Sequence, residues 1–482
     1  MKRFKKRVRE SAAMFSRLFR VTSVLLKHQW FKRIYDPVRR MFGSENVPTK
    51  PDRIKQLFED LGGSYIKLGQ IMALQPDLIP PEVCNMLLDL MDRVTPFGGD
   101  EARRIFARET GRSVDESFDS FDDEPLSTAS IGQVHVAVLN GEKVAVKVQR
   151  PEAEAKMIPD IRIASFVISM IRFFHIKKLR WMIEPMSEFI NWTWEELDYR
   201  HETRYQAKAL ENSRGEPFEK VPKVHWEFTT RRIAVSEFLT GITTLDVIRL
   251  REKHGFIPEG VTPPGYDGDE FCKNIVNNFL DSAFDCGLFH ADLHPANLMV
   301  MDNNVVGYFD YGITGVLSEH SRRNLMGLTL AYAQGNFVEM ADIFVKVSTM
   351  TAESDVEKLK EGLRTRSKNW TSSENQVSIT SMMLDWVFLS RDANIWPQRD
   401  VVKYIRCSVA MDGLIKRLNP DFDVSKALAE ASRRHLEMGM RRHVFSYDNI
   451  FRAFADTADL ILGGTARVRE AFANMEGVTA PS

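Results

Sequence analysis

Long hydrophobic runs are missing from this sequence of 482 residues. The best apolar stretch, Ile163 to Ile171, is nine residues long and lies between two arginines, whereas a membrane-spanning helix needs about 20 apolar residues. The four cysteines form no C-x-x-C pair and no spacing typical of a metal site. We therefore expect neither an integral membrane protein nor a disulfide scaffold, and the free cysteines indicate a reducing compartment.

A strongly basic segment is hidden by the net charge of −1. Residues 1–40 contain 13 Lys or Arg and two acidic residues, so this arm carries +11 and the rest of the chain carries −12. Its apolar residues recur at a helical spacing that places them on one stripe: Phe4, Val8, Phe15, Phe19, Leu26 and Trp30. Such a helix suits an anionic membrane surface. The alternatives are packing against the protein's own body and an organelle transit peptide. No nucleic-acid motif accompanies the arm, so we expect no nucleic-acid partner.

The hydrophobic pattern changes its period along the chain. Residues 52–110 have a helical pattern, whereas 133–139 and 143–148 alternate around Asn140-Gly141, a strong β-hairpin signal. Further strands are expected at 221–228 and 231–239, and a strand pair at 298–301 and 305–309. Helices are expected over 151–211 and from 317 to the end. The pattern predicts a small β-rich lobe followed by a helical lobe.

The most specific motif is HADLHPANLMVMDNNVVGYFDYG, residues 290–312. Its Asp292 and Asn297 precede a predicted strand, and Asp310 follows the paired strand. This order matches the H-x-D-x-x-x-x-N and D-F-G motifs of kinase-like phosphotransferases. The oxygens of Asn297 and Asp310 are hard ligands suited to Mg²⁺. Asp292 is placed to accept a proton from an attacking hydroxyl or water.

A lysine and a glutamate complete this set. Lys147, on the second strand of the hairpin, is similar to the kinase lysine that contacts the α- and β-phosphates. Glu202 is the predicted partner, on a helix face shared with Asp198. The loop before the lysine, STASIGQ (residues 127–133), has one glycine in place of G-x-G-x-x-G, and no A-P-E follows Gly312. The usual platform for a peptide substrate is therefore not expected.

Together these motifs resemble the UbiB/AarF/ADCK family of atypical kinase-like proteins, which are linked to ubiquinone and isoprenoid lipids. Three further segments carry the resemblance: Lys67 to Gln70 (K-x-G-Q), Ala129 to His135 (the alanine-rich loop) and Glu196 to Asp198 (E-x-D). The similarity runs from about residue 45 to 315. One departure is Tyr311, which stands where the family usually has phenylalanine.

The resemblance implies an α+β, protein-kinase-like bilobal fold. Its parts are a basic arm (1–44), a helical K-x-G-Q extension (45–117), an N-lobe with inserted helices (118–240), a C-lobe (241–345) and a C-terminal helical region (346–482).

The resemblance also implies residue roles. Lys67 and Gln70 would lie over the active site, and Lys67 would pair with Glu196 and Asp198 and exclude a protein substrate. Glu195, and not Glu196, falls on the predicted helix face of Asp198 and Glu202, so the Glu196 role rests on the resemblance alone. Lys147, Glu202 and Asp292 would be catalytic. The residues implied for ATP or ADP are Ala129, Ser130, Lys147, Asn297 and Asp310, of which Asn297 and Asp310 would hold Mg²⁺.

The implied activity is a slow Mg²⁺-dependent ATPase that supports ubiquinone or isoprenoid-lipid biosynthesis. Its partners would be a prenylated quinone-precursor lipid, quinone-biosynthesis enzymes and an anionic membrane surface contacted by residues 1–40. In a bacterium the protein would be cytoplasmic and peripheral on the inner membrane; with a transit peptide it would be mitochondrial or plastid. One alternative is a small-molecule phosphotransferase of the aminoglycoside or choline kinase type, which lacks the 67–70 and 196–202 elements. Another is a non-catalytic lipid carrier.

Overall fold

The computed structural model describes residues 16–28, 50–62, 64–65, 68–69, 95–129, 131–176, 179, 183–258, 260–333, 336–370, 385–386, 389–390 and 392–444. Among these residues, no helix combines the length and the apolar character needed to cross a membrane.

Helices and short strands alternate along the chain. The strands are β1 (Ser120–Phe121), β2 (Ser127–Thr128), β3 (Gly132–Leu139), β4 (Glu142–Gln149), β5 (Glu219–Lys220), β6 (Ile233–Glu237), β7 (Ile242–Thr243), β8 (Leu288–His290), β9 (Leu298–Val300), β10 (Val306–Tyr308), β11 (Thr314–Val316), β12 (Ser348–Met350) and β13 (Ile395–Pro397). The helices are α1 (16–28), α2 (Lys50–Leu61), α3 (Gly99–Thr110), α4 (Val114–Ser117), α5 (Ala153–Phe173), α6 (Ile183–Glu196), α7 (Tyr199–Asn212), α8 (Thr244–His254), α9 (Gly268–Asp281), α10 (Glu319–Ala333), α11 (Phe337–Lys346), α12 (Val356–Trp370), α13 (Arg399–Leu418) and α14 (Val424–Val444).

The predicted hairpin is confirmed at the centre of the first lobe. Strands β3 and β4 pair antiparallel along their whole length, and β6 continues the sheet beside β4. The turn residues Asn140 and Gly141 have φ of 53° and 82°, the left-handed conformation that a type I′ turn requires. Alternate side chains of β4 are buried against α3. Because side chains alternate between faces, Lys147 points to the opposite face of the sheet.

The second lobe has a larger core built around α9. Phe271, Ile275 and Phe279 of this helix are buried with residues of α8, α13 and the small strands. The predicted strand pair is confirmed as β9 and β10, which pair antiparallel in a sheet of order β5-β10-β9-β7. A separate pair, β8 and β11, places His290 opposite Thr314. These two short pairs hold the segment that carries the phosphate motif. The mixed helix and sheet content confirms the α+β prediction.

Two expectations about strands are wrong. The segment 221–228 is not a strand: it contributes one bridge, Val224 to Ser236, and a 3₁₀ turn at Trp226–Phe228. Local turn bonds replace the ladder there, since the amide of Thr229 donates to Trp226 O at 3.2 Å. In the region expected to be wholly helical, β12 pairs with β13. Strands of three residues so far apart in sequence leave no local periodicity to detect.

The basic arm is described over α1 alone. Arg17 donates to both carboxylate oxygens of buried Asp160 on α5, at 2.6 and 3.0 Å, and Val21 is buried. The opposite side carries the predicted apolar stripe, where Phe19 is 76% and Leu26 64% exposed. One face of α1 therefore packs on the body, and the stripe faces outward. The other stripe residues, Phe4, Val8, Phe15 and Trp30, lie outside the described residues.

Candidate active site

Lys147 and Glu202 form the centre of the site. Lys147 Nζ donates to both carboxylate oxygens of Glu202 at 2.8 Å, and it lies 3.6 Å from Asp310 Oδ2. Both side chains of the pair are mostly buried, whereas Asp310 is 46% exposed. A strand of the first lobe, a helix and a loop of the second lobe thus bring one cation and two carboxylates together, as the sequence predicts for Lys147 and Glu202.

The helix that carries Glu202 begins later than the sequence suggests. The helix α6 ends at Glu196 and α7 begins at Tyr199, so the expected continuous helix face shared by Asp198 and Glu202 is wrong. Asp198 instead caps α7: its carboxylate accepts from Arg200 N at 3.1 Å and pairs with the Arg200 guanidinium at 2.6 and 2.8 Å. An N-cap carboxylate satisfies a backbone amide that the first helical turn leaves unbonded. This cap starts a new helix with the register that directs Glu202 to Lys147.

Tyr199 is a site residue that the sequence does not reveal. Lys147 Nζ lies 5.2 Å from the centre of its ring, within the range of a cation–π contact. The phenol also lies against the backbone of Gly132, where a Cβ would collide with the hydroxyl and come within 2.8 Å of Val148 O. The one glycine of the loop is therefore required by packing of Tyr199 in the first lobe.

The loop 129–133 is anchored by two further residues. Arg150 donates to Ala129 O at 3.1 Å and to Thr95 O at 2.9 Å. Gln133, buried in β3, exchanges two hydrogen bonds with the backbone of Phe97, at 3.0 and 3.1 Å. These bonds tie Ala129 to the start of the sheet. Ser130 lies outside the described residues.

The loop between β8 and β9 carries the predicted base. Asn297 Nδ2 donates to Asp292 Oδ2 at 3.0 Å and to Asp292 O at 3.2 Å. Behind the loop, buried Thr244 donates its hydroxyl to Pro295 O at 2.6 Å. Because the amide nitrogen of Asn297 faces Asp292, its Oδ1 is available on the other side of the amide.

Asp310 occupies a conformation that most residues avoid. Its φ is 62°, in the left-handed region where aspartate is among the tolerated residues. Its Oδ1 accepts from Gly312 N at 3.2 Å, while Oδ2 is the oxygen near Lys147. A strained backbone at such a position is held by its surroundings and is common at functional sites.

His290 connects the two halves of the motif. Its Nδ1 accepts from Asp292 N at 3.2 Å, and its Nε2 lies 3.2 Å from Phe309 O. The two bonds together require a neutral ring with the proton on Nε2, and burial lowers the pKa of His290 in agreement with this form. The residue thus positions both Asp292 and the residue before Asp310.

Burial and charge act in opposite directions on Lys147. Burial by itself lowers the pKa of the amine, but the carboxylates of Asp310 and Glu202 outweigh it, and the pKa of Lys147 is raised above its usual value. The lysine is therefore fully protonated at neutral pH and presents a fixed positive charge to the site.

The oxygen donors fit a magnesium ion of the kind that kinase-like folds use. Asn297 presents an amide oxygen and Asp310 a half-exposed carboxylate, and Mg²⁺ prefers such oxygens together with water and substrate phosphates. Lys147 beside Asp310 supplies the charge that a phosphate requires.

The regulatory residues predicted by resemblance are partly described. Lys67 and Gln70 lie outside the described residues. Glu196 is the last residue of α6, and Asp198 is the cap of α7, so the two flank the break between these helices.

The fold and the site define a kinase-like protein, and comparison with known proteins identifies the family. The model of the ABC1 atypical kinase-like domain matches residues 89–344, just over half of the chain. The chain therefore belongs to the ABC1 atypical kinase-like family, which confirms the UbiB/ADCK resemblance.

Several relatives are similar over most of this chain. Protein ACTIVITY OF BC1 COMPLEX KINASE 1, a chloroplast protein of Arabidopsis thaliana, is 30% identical over 78% of this chain, which spans 54% of that relative's length. A probable protein kinase UbiB of Marinobacter nauticus is 27% identical over 82% of this chain and 71% of its own. A solved complex of Rv3197 with erythromycin from Mycobacterium tuberculosis shares the fold, with a TM-score of 0.50 and 21% identity over 79% of this chain and 94% of that one.

Proposed function

We propose that the protein binds Mg²⁺ with ATP or ADP at this site and hydrolyses ATP slowly, in support of ubiquinone or related isoprenoid-lipid biosynthesis. The observation that carries the proposal is the position of Lys147. Its Nζ donates two hydrogen bonds of 2.8 Å to the Glu202 carboxylate and lies 3.6 Å from Asp310 Oδ2. In kinase-like enzymes this lysine contacts the phosphates and its glutamate holds it in place. The cation is already ordered before any nucleotide arrives.

Each remaining residue has a proposed role. Ala129 and Ser130 cover the phosphates, and Asn297 and Asp310 hold the metal, which neutralises charge on the phosphate oxygens when bound. Asp292 accepts the proton of the attacking water at Oδ1, because Asn297 Nδ2 engages Oδ2.

The segment after Gly312 supports an ATPase over a protein kinase. Only six residues, including β11, separate Gly312 from Glu319 at the start of α10. This is too short for the loop between D-F-G and A-P-E on which protein kinases place a peptide. We propose that Lys67 and Gln70, acting with Glu196 and Asp198, further exclude a protein substrate.

The proposed pathway rests on the relatives. One is named a probable protein kinase UbiB and another Protein ACTIVITY OF BC1 COMPLEX KINASE 1. We therefore propose a prenylated quinone-precursor lipid as ligand and quinone-biosynthesis enzymes as partners.

The site is tested with Asp310→Asn. Wild-type protein in saturating Mg²⁺–ATP should gain about 2.7 kcal/mol at a hundredfold excess over Kd, seen as a raised thermal midpoint. D310N should lose this Mg²⁺-dependent shift and the ATPase activity. Asp302→Asn, an equal charge change at an exposed position of the β9–β10 turn, is the matched control and should retain both. An undiminished shift in D310N would disprove the site assignment, and robust phosphorylation of added peptides would disprove the ATPase interpretation.

We also propose that α1 contacts an anionic membrane. Its outward face exposes Leu18, Phe19, Leu25 and Leu26, and the surrounding arm is rich in lysine and arginine. An apolar face beside basic residues is the pattern of an interfacial helix, and Arg17 and Val21 hold the opposite face on the body.

Liposome sedimentation tests this contact. Phe19→Ser with Leu26→Ser should weaken binding to phosphatidylglycerol vesicles, and raising the salt should weaken wild-type binding. Phe256→Ser, which changes a similarly exposed residue of the second lobe, should have no effect. Equal binding by the double variant and the wild type would refute the proposed anchor.

A further inference from the structure

A cavity of about 290 Å³ lies in the second lobe and shares His290 with the site described above. Its walls come from the end of α7, from α9 and the turn after it, and from the strands that carry the catalytic segment. Lys147, Asp292, Asn297 and Asp310 do not line it. The nucleotide chemistry proposed above therefore leaves this cavity unexplained.

The charged side chains that line the cavity are mostly acidic. Glu216, Glu219, Asp281 and Asp285 line it, against one arginine, Arg214. Asp281 already has two cationic partners, since Arg434 lies 3.2 Å away and the buried His435 2.6 Å away. Glu219 differs: within the described part of the chain its carboxylate forms no hydrogen bond or ion pair. A partly buried carboxylate thus lines the cavity without a direct ion pair to any described residue.

A second and independent observation concerns Tyr311. This residue is 2% exposed and lines the cavity, and its hydroxyl makes no hydrogen bond with any described residue. Buried hydroxyl groups are normally hydrogen-bonded. A phenylalanine, as in the usual D-F-G motif, would bury the same ring without placing a hydroxyl at the cavity wall. The hydroxyl therefore indicates a polar ligand atom in the cavity.

The neutral part of the wall includes apolar side chains as well as polar ones such as Asn278 and Ser282. Leu288, Leu293 and Phe279 are the larger aliphatic and phenylalanine residues of this lining. A divalent ion would need several free oxygen ligands or retained waters. Among the described residues the one cluster of metal-ligand geometry, Asp281 with Asp285 and His435, is already neutralised, because the two carboxylates outweigh burial and raise the pKa of His435 to about 9. A small organic cation with an apolar body matches both the carboxylates and the apolar side chains of the lining.

We propose that this cavity binds a small primary amine, whose ammonium group contacts Glu219 and the Tyr311 hydroxyl and whose apolar part lies on Leu288 and Leu293. The protonation of Glu219 supports the proposal. Burial first, and then the nearby Asp281 and Glu216, raises the pKa of Glu219 to about 8. An ammonium group beside it would restore the ionised carboxylate and a full ion pair.

The cavity offers its own probe, because Cys286 lines it and is exposed while Cys272 and Cys407 are buried. The full-length protein is equilibrated with cystamine or with 2-hydroxyethyl disulfide, each of which forms a mixed-disulfide adduct with the Cys286 thiol. The equilibration is repeated at increasing concentrations of 2-mercaptoethanol, which removes the adduct. Mass spectrometry of the Cys286 peptide then gives the thiol concentration that removes half of each adduct. The cysteamine adduct, which carries an ammonium group, should survive at least tenfold more thiol than the neutral adduct of equal length.

The variants decide whether this preference belongs to the cavity. Glu219→Gln should abolish it, and Tyr311→Phe should reduce it severalfold. Glu211→Gln removes an exposed carboxylate that is paired with Lys208 outside the cavity, and it should leave the preference intact. Should E219Q fail to fold, Y311F still tests the contact.

Three results would overturn the proposal: equal survival of the two adducts in the wild type, an unchanged preference in E219Q, or an unchanged preference in Y311F. Loss of the preference in millimolar MgCl₂ at constant ionic strength would also overturn it, in favour of a metal site.

Discussion

The candidate active site and the second-lobe cavity each bury a glutamate, but only the glutamate at the active site has an ion-pair partner within the part of the chain that the structure describes. At the active site Glu202 meets Lys147 through two bonds of 2.8 Å. In the cavity Glu219 has no ion-pair partner among the described residues, and its pKa rises to about 8, chiefly because of burial. Removing a charge from water is costly unless a partner is present or the group becomes neutral. The first site therefore holds a fixed charge pair, and the second holds a carboxyl whose charge depends on what binds.

A third buried carboxylate, like the one at the active site, has a cationic partner. Asp160, which is 1% exposed, is paired with Arg17 of α1. Here the partner comes from the arm, which lies outside the residues matched by the family model. The same electrostatic requirement that orders Lys147 thus also fixes α1 on the body.

The largest effect is expected from removing the lysine. Lys147→Met should lower ATPase activity at least a hundredfold and, by leaving Glu202 buried without a partner, cost about 3–5 kcal/mol of stability. Lys147→Met with Glu202→Leu should recover most of the stability and none of the activity. Urea unfolding and ATPase assays measure both. A double variant as unstable as the single one would show that the pair does not have this role.

Glu219 should make the free energy of unfolding depend on pH. Since the folded-state pKa of Glu219 is about 8 and that of an unfolded glutamate about 4.3, the folded protein binds more protons in this interval. Its contribution to stability is complete below the unfolded pKa and is lost as the pH rises toward 8.

Glu219→Gln should therefore leave stability near that of the wild type at pH 5 and exceed it at pH 8. The difference should be at most about 5 kcal/mol, at 1.36 kcal/mol per pKa unit. Denaturant unfolding across this range measures it. Parallel curves for the two proteins would mean that Glu219 is ionised in the folded state.

Breaking the third pair should have a smaller and local effect. Arg17→Met leaves Asp160 buried without its guanidinium, at a cost of about 2 kcal/mol. Burial already raises the pKa of Asp160 despite the nearby charge of Arg17. Hydrogen exchange should show faster exchange in α1, and Asp160→Asn added to R17M should restore part of the protection. Unchanged exchange in R17M would show that other contacts hold α1.

The smallest effect is expected at Tyr199. Its buried hydroxyl has no hydrogen-bond partner among the described residues. Tyr199→Phe should therefore change stability by less than about 1 kcal/mol, toward a gain, because no bond is lost. It should also keep ATPase activity, because the ring that contacts Lys147 remains. A large loss of stability would reveal a bond to this hydroxyl in solution.

Some parts of this site follow directly from residue order. Asp292, Asn297 and Asp310 could be found from their spacing, since a short hairpin joins the loop to Asp310, and Asn140-Gly141 marked the hairpin that carries Lys147. The break at Leu197 and Asp198 was not visible, because an acidic run continues the helical pattern while a capping bond ends it.

Membership of the family was thus determined by the sequence alone, because motif residues lie close together along the chain and local turns position them. Only the tertiary structure decided what surrounds each charge. It showed that Gly132 makes room for Tyr199, that Arg17 reaches Asp160 and that Glu219 lines a cavity whose charged side chains are mostly acidic. These partners are separated by 67 residues, by 143 residues and, for the cavity wall, by several elements. Burial and electrostatics depend on distance in space, which spacing along the sequence does not determine.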